Sequence, residues 1–581
     1  MQETFNRRGV TCGDRDRIST PKPIRSPQAT PLAMKIKIFI VLASLASAGC
    51  LSQGQSADSK GPPNVIFFLV DDLGWTDVGT FGSSFYETPH IDQFATEGVK
   101  FTSAYAACHV CSPTRSSILT GKYPARNNMT DWIPGRRDFP FQKLLNVYSG
   151  QHLPYEETTL AETLRGHGYA TAAVGKWHLG SAPSTPDKHG FDWHIPRNWS
   201  RGAPNRTFYA PYNLEGLEEA TDGEYLTDRL TDEALGFISE NKVGPFFLYL
   251  AHFAVHDPID GRLDLVDKYE EKLKQNPPPI VEPFILEGNP DRTEKLSQKY
   301  LDQTISDPAY AEYGVLPKHT VKIKQRQDNT HFAGMVEAVD QSFGRLLERL
   351  EELSIDDNTI VIFFADNGGM AGMNIGNPIR TATEEQLDRA FSTSVLPLRG
   401  AKGWLYEGGI RVPCIVKWPG QGLEGVVSDE PIISTDFYPS ILEMAGLPLV
   451  NDQHRDGISI APLLKGEKSL DREAIYWHFP HYSNHGMQPP AGAIRSGPYK
   501  LLEYFENNTV QLFNLDRDLG ETYDLSKSEP EKVKELTAML RAWRKEVDAQ
   551  MLSPNPDYID IDPHKWARGT DANNEWIRRP R

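Results

Sequence analysis

The feature that constrains this chain most is the run Asn64 to Val70, NVIFFLV, which stops at Asp71-Asp72. Consecutive apolar residues leave no side for water, so the run fits a strand buried on both faces of a parallel sheet. Comparable runs recur at Tyr169–Val174, Phe246–Leu250, Thr359–Phe364 and Val412–Val416. Helical patterns lie between them. The clearest sets Phe332, Met335, Val336, Val339, Phe343, Leu346, Leu347 and Leu350 at three- and four-residue spacing. Strands alternating with helices predict an α/β fold, a large domain with a mostly parallel central sheet flanked by helices.

After residue 470 the style changes to short strand patterns, AIYWHF, AIRSGPYKLLEYF and VQLFNLD. A helix follows, capped at Ser528, with Val533, Leu536, Leu540, Trp543 and Val547 on one face. This predicts a smaller C-terminal α+β domain with an antiparallel sheet. The expected organisation is a leader, signal and linker over 1–61, a catalytic domain over 62–470, a C-terminal subdomain over 471–552 and a polar tail over 553–581. Residues 258–328, rich in Pro, Lys, Glu and Asp, read as a surface insertion in the large domain.

Each core run ends in groups that do chemistry. Val70 is followed by Asp71 and Asp72, Val174 by Lys176 and His178, Leu250 by His252 and His256, and Phe364 by Asp366 and Asn367. Ligands of open parallel sheets bind at the carboxyl ends of the strands, so these clusters are expected to meet in one cleft. Asp71, Asp72, Asp366 and Asn367 then form an all-oxygen set. Packed carboxylates repel unless a cation joins them, and oxygen ligands suit Ca²⁺ or Mg²⁺ better than zinc. Arg115, Lys176, His178, His256 and Lys402, the last in the Gly-rich loop LRGAKGWLYEGGIRVP, supply positive charge suited to a tetrahedral oxyanion. His252 is a weaker candidate, for substrate contact only.

The stretch His109 to Gly121, HVCSPTRSSILTG, places Ser112 as a helix N-cap, Pro113 at the first helical position and Gly121 at the end. Cys111 is thereby expected at a helix N-terminus, a setting that favours anions and lowers a thiol pKa. Arg115 follows one turn on. Cys108 and Cys111 also spell C-x-x-C, which admits a redox pair or half a zinc site, but no second pair accompanies it. Five cysteines in 581 residues make no disulfide scaffold. A formal net charge of −17 argues against nucleic acid or an anionic membrane as partner, so an anionic substrate must be drawn by local basic groups.

Met34 to Cys50, MKIKIFIVLASLASAGC, has the order of a secretory signal: Lys35 and Lys37, an apolar run over Ile38–Ala48, then small residues. The run is too short to span a bilayer. It predicts an exported protein, periplasmic or secreted, starting at Met34. Ala46-Ser47-Ala48 fits an ordinary cleavage site, and Cys50 is a candidate lipid-anchored cysteine.

CSPTRSSILTG and GYATAAVGKWHLG resemble the two signature stretches of the formylglycine-dependent sulfatases, of the alkaline-phosphatase-like superfamily, and LVDDLG and FFADNGG resemble that family's metal-binding segments. The resemblance runs from about residue 62 to about 550 and is to the bacterial arylsulfatase and carbohydrate-sulfatase branch. It implies a sulfuric ester hydrolase acting on a small-molecule or polysaccharide sulfate ester. It implies that a maturation enzyme reading Cys111, Pro113 and Arg115 oxidises Cys111 to formylglycine. One hydroxyl of the hydrated aldehyde would attack sulfur, and the second would re-form the carbonyl and expel sulfate. By the same resemblance, Asp71, Asp72, Asp366, Asn367 and residue 111 hold one divalent cation, Ca²⁺ with Mg²⁺ as the alternative. Arg115 and Lys176 orient the hydrate and the sulfate, His178 takes the proton when the aldehyde re-forms, and His256 and Lys402 bind sulfate and assist the leaving oxygen. The competing reading is a phosphatase or phosphodiesterase of the same superfamily. Those enzymes commonly use Ser or Thr and two metals, and the ligands here suffice for one. A metal-dependent binding protein without catalysis ranks third.

Overall fold

The computed structural model describes residues 61–567, apart from 199–201, 203, 205–206, 279–281, 293–294, 312, 314 and 375–389. The expected export signal, Cys50 and residues 568–581 of the tail lie outside the described residues. Eight strands form the large sheet: β1 (Asn64–Val70), β2 (Val99–Phe101), β3 (Ala170–Gly175), β4 (Trp193–Ile195), β5 (Phe246–Ala251), β6 (Thr359–Ala365), β7 (Cys414–Lys417) and β8 (Val426–Ser428). Their order is β8-β2-β7-β6-β1-β5-β3-β4. The block from β6 to β4 is parallel. β7 runs antiparallel to both its neighbours, β6 and β2, so the last core strand enters the sheet from the opposite end. It begins at Cys414 rather than at Val412, because Val412 donates its N–H to Ala104 and Pro413 has none to give.

Helices cover both faces. Phe67 packs edge-on against Phe437 of the helix Phe437–Met444, ring centroids 5.0 Å apart. Its neighbour Phe68, on the other face, meets Phe343 of the helix Thr330–Glu352, also at 5.0 Å. This two-sided packing is why the β1 run carries no polar alternation. The helix Leu263–Gln275, within the segment expected at the surface, buries Leu265, Val266 and Tyr269 and packs along Thr330–Glu352. Part of 258–328 therefore belongs to the helical layer.

The C-terminal sheet is antiparallel throughout: β9 (Ile475–Phe479), β10 (Ala491–Ser496), β11 (Tyr499–Tyr504) and β12 (Val510–Asn514). The helix Pro530–Glu546 lies against it and buries Leu536, Leu540 and Trp543. Glu529, not Ser528, is its N-cap; the Ser528 hydroxyl donates instead to the Leu525 carbonyl. The start of the tail is docked too. Ser553–Pro554 pairs with Leu144–Leu145, and Trp566 stacks edge-on against Phe139 and Phe141. Those aromatic contacts outweigh the polar composition that reads as free tail.

A buried ion network joins this sheet to the large domain. Lys500 donates to Glu407 Oε1 at 2.9 Å and lies 2.9 Å from Glu521 Oε1. Tyr105 and Arg411 donate to Glu407 Oε2 at 2.7 and 3.1 Å, and the Glu407 N–H donates to Glu521 Oε2 at 2.6 Å. Arg495 completes it through the Tyr105 hydroxyl.

Candidate active site

Register brings four strand ends level. Val70 pairs with Ala365, Leu69 with Ala251, and Ala251 with Gly175. Backbone bonds continue across the ends: Lys176 N–H to Ala251 at 2.7 Å, His252 N–H to Leu69 at 3.0 Å, and Asp366 N–H to Val70 at 3.2 Å. Asp71, Asp72, Lys176, Asp366 and Asn367 are thus delivered to one point by strands up to 295 residues apart.

The second component is the helix Cys111–Thr120. It starts two residues earlier than expected, with Val110 as N-cap, so Cys111 is its first residue and Pro113 its third. Proline fits there because first-turn N–H groups have no intrahelical partner. Ser112 does not cap; its hydroxyl accepts the Ile133 N–H at 3.2 Å. Gly121 ends the helix in the left-handed region, φ 65°.

Around Cys111 the charges pair closely. Arg115, fully buried, donates through Nε to Asp366 Oδ2 at 2.9 Å and through Nη1 to the Lys176 carbonyl at 2.7 Å. Lys176 donates to Asp71 Oδ2. Lys402 lies 2.6 Å from Asp72 Oδ1 and 3.7 Å from Cys111 Sγ. Asn367 donates to Asp72 Oδ1 at 2.8 Å. His256 turns Nε2 toward Asp72 Oδ2 at 3.7 Å. The Nδ1–H of His256 is held by Asp257, 2.7 Å from its carbonyl and 2.8 Å from Oδ1.

Burial, with Asp366 beside it, pushes Asp71 up to about 7. For Asp72, burial is outweighed by Lys402, His256 and Lys176, and for Asp366 by Arg115 and Lys176; both stay below the usual carboxylate range. Burial pushes the Cys111 thiol up to about 12 although Lys176 and Lys402 oppose it. The expected lowering by the helix terminus is therefore reversed, because the thiol has no water around it. His178 stays neutral through burial and the charges of Lys176 and Arg115, and its Nε2 donates to the Ile133 carbonyl at 2.8 Å. Gly202 lies so close to this ring that a Cβ there would sit 2.7 Å from Cε1.

The residues fit a divalent cation. Ligand atoms of Asp71, Asp72, Cys111 and Asp366 all lie within 4.8 Å of one another. Asp71 Oδ1 and Asn367 Oδ1 are buried without a hydrogen-bond partner, the state expected of oxygens that ligate a hard cation.

The sulfatase family model matches residues 63–447, about two-thirds of the chain. The chain belongs to the sulfatase family. A second model, for the C-terminal region of N-sulphoglucosamine sulphohydrolase, matches residues 401–550. A sulfatase of Formosa agariphila is 29% identical over 87% of this chain and 93% of that protein. The human N-acetylgalactosamine-6-sulfatase is 30% identical over 72% of this chain and 68% of that one. The solved structure of Ps i-CgsB with k-i-k-neocarrahexaose superposes with a TM-score of 0.61 at 27% identity, over 84% of this sulfatase and 94% of that chain. By family this sulfatase is a sulfuric ester hydrolase.

One sequence candidate is not in the site. His252 is fully buried, its Nε2 paired with the Ser342 hydroxyl at 2.9 Å and its ring 5.1 Å from Phe68. It is a core histidine, and burial pushes it down to about 3. Cys108, the other half of the C-x-x-C, is a buried free thiol like Cys111. Sequence reasoning missed Asp257. Its signal was the acid directly after His256 in VHDP. No helix among the described residues is long and apolar enough to cross a membrane.

Proposed function

We propose that this sulfatase hydrolyses sulfate esters of carbohydrates, with residue 111 acting as formylglycine and a divalent cation held by Asp71, Asp72, Asp366 and Asn367. The observation that carries the reading is Cys111 itself. As a thiol pushed up to about 12 it is a poor nucleophile, yet it sits at the meeting point of the oxygen ligands and 3.7 Å from Lys402. Oxidation by a maturation enzyme that reads Cys111, Pro113 and Arg115 resolves that contradiction. The hydrate offers one hydroxyl to attack sulfur and a second whose deprotonation re-forms the aldehyde and releases sulfate. Ca²⁺ or Mg²⁺ held by Asp71, Asp72, Asp366 and Asn367 would supply Lewis-acid charge at the site.

The chain's own residues divide the remaining work. Arg115 and Lys176 hold Asp366 and Asp71 in place and face the sulfate with positive charge. Lys402 balances the sulfate. His256, its Nδ1–H fixed by Asp257, is left with Nε2 to serve the leaving oxygen. His178, kept neutral, takes the proton in the release step. The human relative's name and the k-i-k-neocarrahexaose in the Ps i-CgsB structure support a sugar alcohol as leaving group. The signal-like segment supports export, with Cys50 as a lipidation site. Intact-mass analysis of the peptide Ala107–Lys122 from active enzyme tests the reading. An aldehyde at residue 111 is expected; an unmodified thiol in active enzyme overturns it.

A further inference from the structure

The turn between β9 and β10 reaches out of the C-terminal subdomain into the active site. Tyr482, Ser483, Asn484, His485, Met487 and Gln488 are all buried there, an unusual state for so polar a connection. Two glycines let it approach. Gly403, φ +88, directly follows Lys402, and a Cβ on it would lie 2.2 Å from the Cβ of His485. Gly486, φ +64, sits against Trp404, where a Cβ would lie 1.8 Å from Nε1. Gln488 locks the contact by accepting the Leu405 N–H at 2.5 Å. The turn is also tied to His256. His485 bridges Asn374 through the backbone, Asn374 donates to Asp257 Oδ1 at 3.3 Å, and Asp257 holds His256.

None of these ties uses the His485 ring. Nδ1 is buried without a partner, and among the described residues no group bonds Nε2. The residue is 6% exposed, and its electrostatic neighbours are Lys402, His256 and Asp257. A buried polar ring is normally satisfied, and an orphan beside the two groups assigned to the leaving oxygen points to a ligand. Burial, Lys402 and His256 keep it neutral, which suits a hydroxyl better than a second anion. We propose that His485 is a specificity-determining residue, whose ring hydrogen-bonds a hydroxyl of the sugar that carries the sulfate ester. The inference rests on the carbohydrate-sulfatase reading above and extends it to the C-terminal subdomain as a reader of the alcohol.

The test measures kcat/KM on 4-nitrophenyl sulfate and on a panel of galactose, N-acetylgalactosamine and glucosamine monosulfates, for wild type, His485→Ala, His485→Phe and His485→Gln. The sugar-to-aryl ratio should fall roughly tenfold in the Ala and Phe variants, the scale of one lost hydrogen bond, and recover in part with Gln. Phe keeps the ring volume, so it carries the test if Ala fails to fold. Equal losses on both substrates, or none, overturn the assignment and leave the sulfatase reading standing. Wild-type turnover of aryl sulfate but of no sugar sulfate overturns both the sugar reading and this role.

Discussion

The chain buries two clusters of opposite charges, and they differ in one respect. At the junction between the two sheets, Glu407 and Glu521 meet Lys500, Arg411 and the Tyr105 hydroxyl, and each carboxylate oxygen faces a donor or cation within 3.1 Å, Glu521 Oε1 through its ion contact with Lys500 and without a hydrogen bond. At the strand ends, Asp71, Asp72 and Asp366 meet Arg115, Lys176 and Lys402 just as closely, yet Asp71 Oδ1 and Asn367 Oδ1 are left over. Arg115 Nη2 stands 3.7 Å from Asp71 Oδ1. Buried charge therefore does not mark a site; acceptors left without a hydrogen bond in a cluster of several carboxylates do, where no close cation answers them. One cluster is closed and holds two sheets together. The other is open toward a ligand.

Removing a proposed cation ligand from the open cluster should have the largest effect. Asp72→Ala should lower kcat by about 10³-fold or more, the scale of several kcal/mol of lost transition-state stabilisation. It should also abolish any rise in melting temperature on adding Ca²⁺ to chelated protein. Retained turnover, or an undiminished Ca²⁺ shift, would break the distinction between the clusters.

His256 stands at the edge of the open cluster, and its loss should depend on the leaving group. An alcohol needs a proton as it departs and a nitrophenol does not, so His256→Ala should slow a sugar sulfate by roughly 10²–10⁴-fold more than 4-nitrophenyl sulfate. His178→Ala should show no such preference, because in the proposed mechanism it acts after the alcohol has left. A uniform loss across leaving groups of graded pKa would reduce His256 to sulfate binding.

In the closed cluster the effect should appear in stability. Glu407→Ala leaves Arg411 without its carboxylate and Lys500 with Glu521 alone, and breaking a buried pair in this way typically costs about 3–5 kcal/mol. The urea midpoint should fall while kcat of the folded fraction stays near wild type. A selective loss of kcat would mean that the junction serves the chemistry after all.

The smallest effect is the pH response of the junction. Burial opposes it, but Lys500, Arg411 and Arg495 hold Glu407 down to about 2 from 4.5, so its contribution is present above pH 4.5 and fades as pH falls toward 2. Burial, with Glu407 adjacent, pushes Glu521 up to about 7. Its contribution is present below pH 4.5 and is lost as pH rises through 7. Glu521→Gln removes that second loss. Between pH 5 and pH 8 wild type should lose on the order of 1–2 kcal/mol relative to this variant in paired urea titrations. Parallel curves would show that Glu521 is ionised in the fold throughout.

Much of the site was legible because its residues follow apolar runs. A strand end carries its chemistry to the sheet's edge whatever the loops do, so Asp71, Asp72, Lys176, Asp366 and Asn367 could be grouped from sequence spacing alone. His252 and His256 show the limit. They lie four residues apart after the same strand, yet His252 turns back to Ser342 and Phe68 while His256 reaches Asp72. The one local difference is Asp257, directly after His256, while the place of His252 depends on Ser342, 90 residues further on.

Resemblance to the sulfatases gave the Cys111-x-Pro113-x-Arg115 context its meaning, and the sequence by itself determined the buried parallel strands and the grouping of oxygen-bearing residues at their ends. These are properties of short segments, set by hydrophobic period and residue type. Only the tertiary structure decided that β7 runs antiparallel, that burial raises the Cys111 thiol instead of the helix end lowering it, and that the turn carrying His485 packs against Gly403, next to Lys402. Each of those turns on desolvation or pairing between segments far apart in the chain, and such terms exist only once the segments have packed.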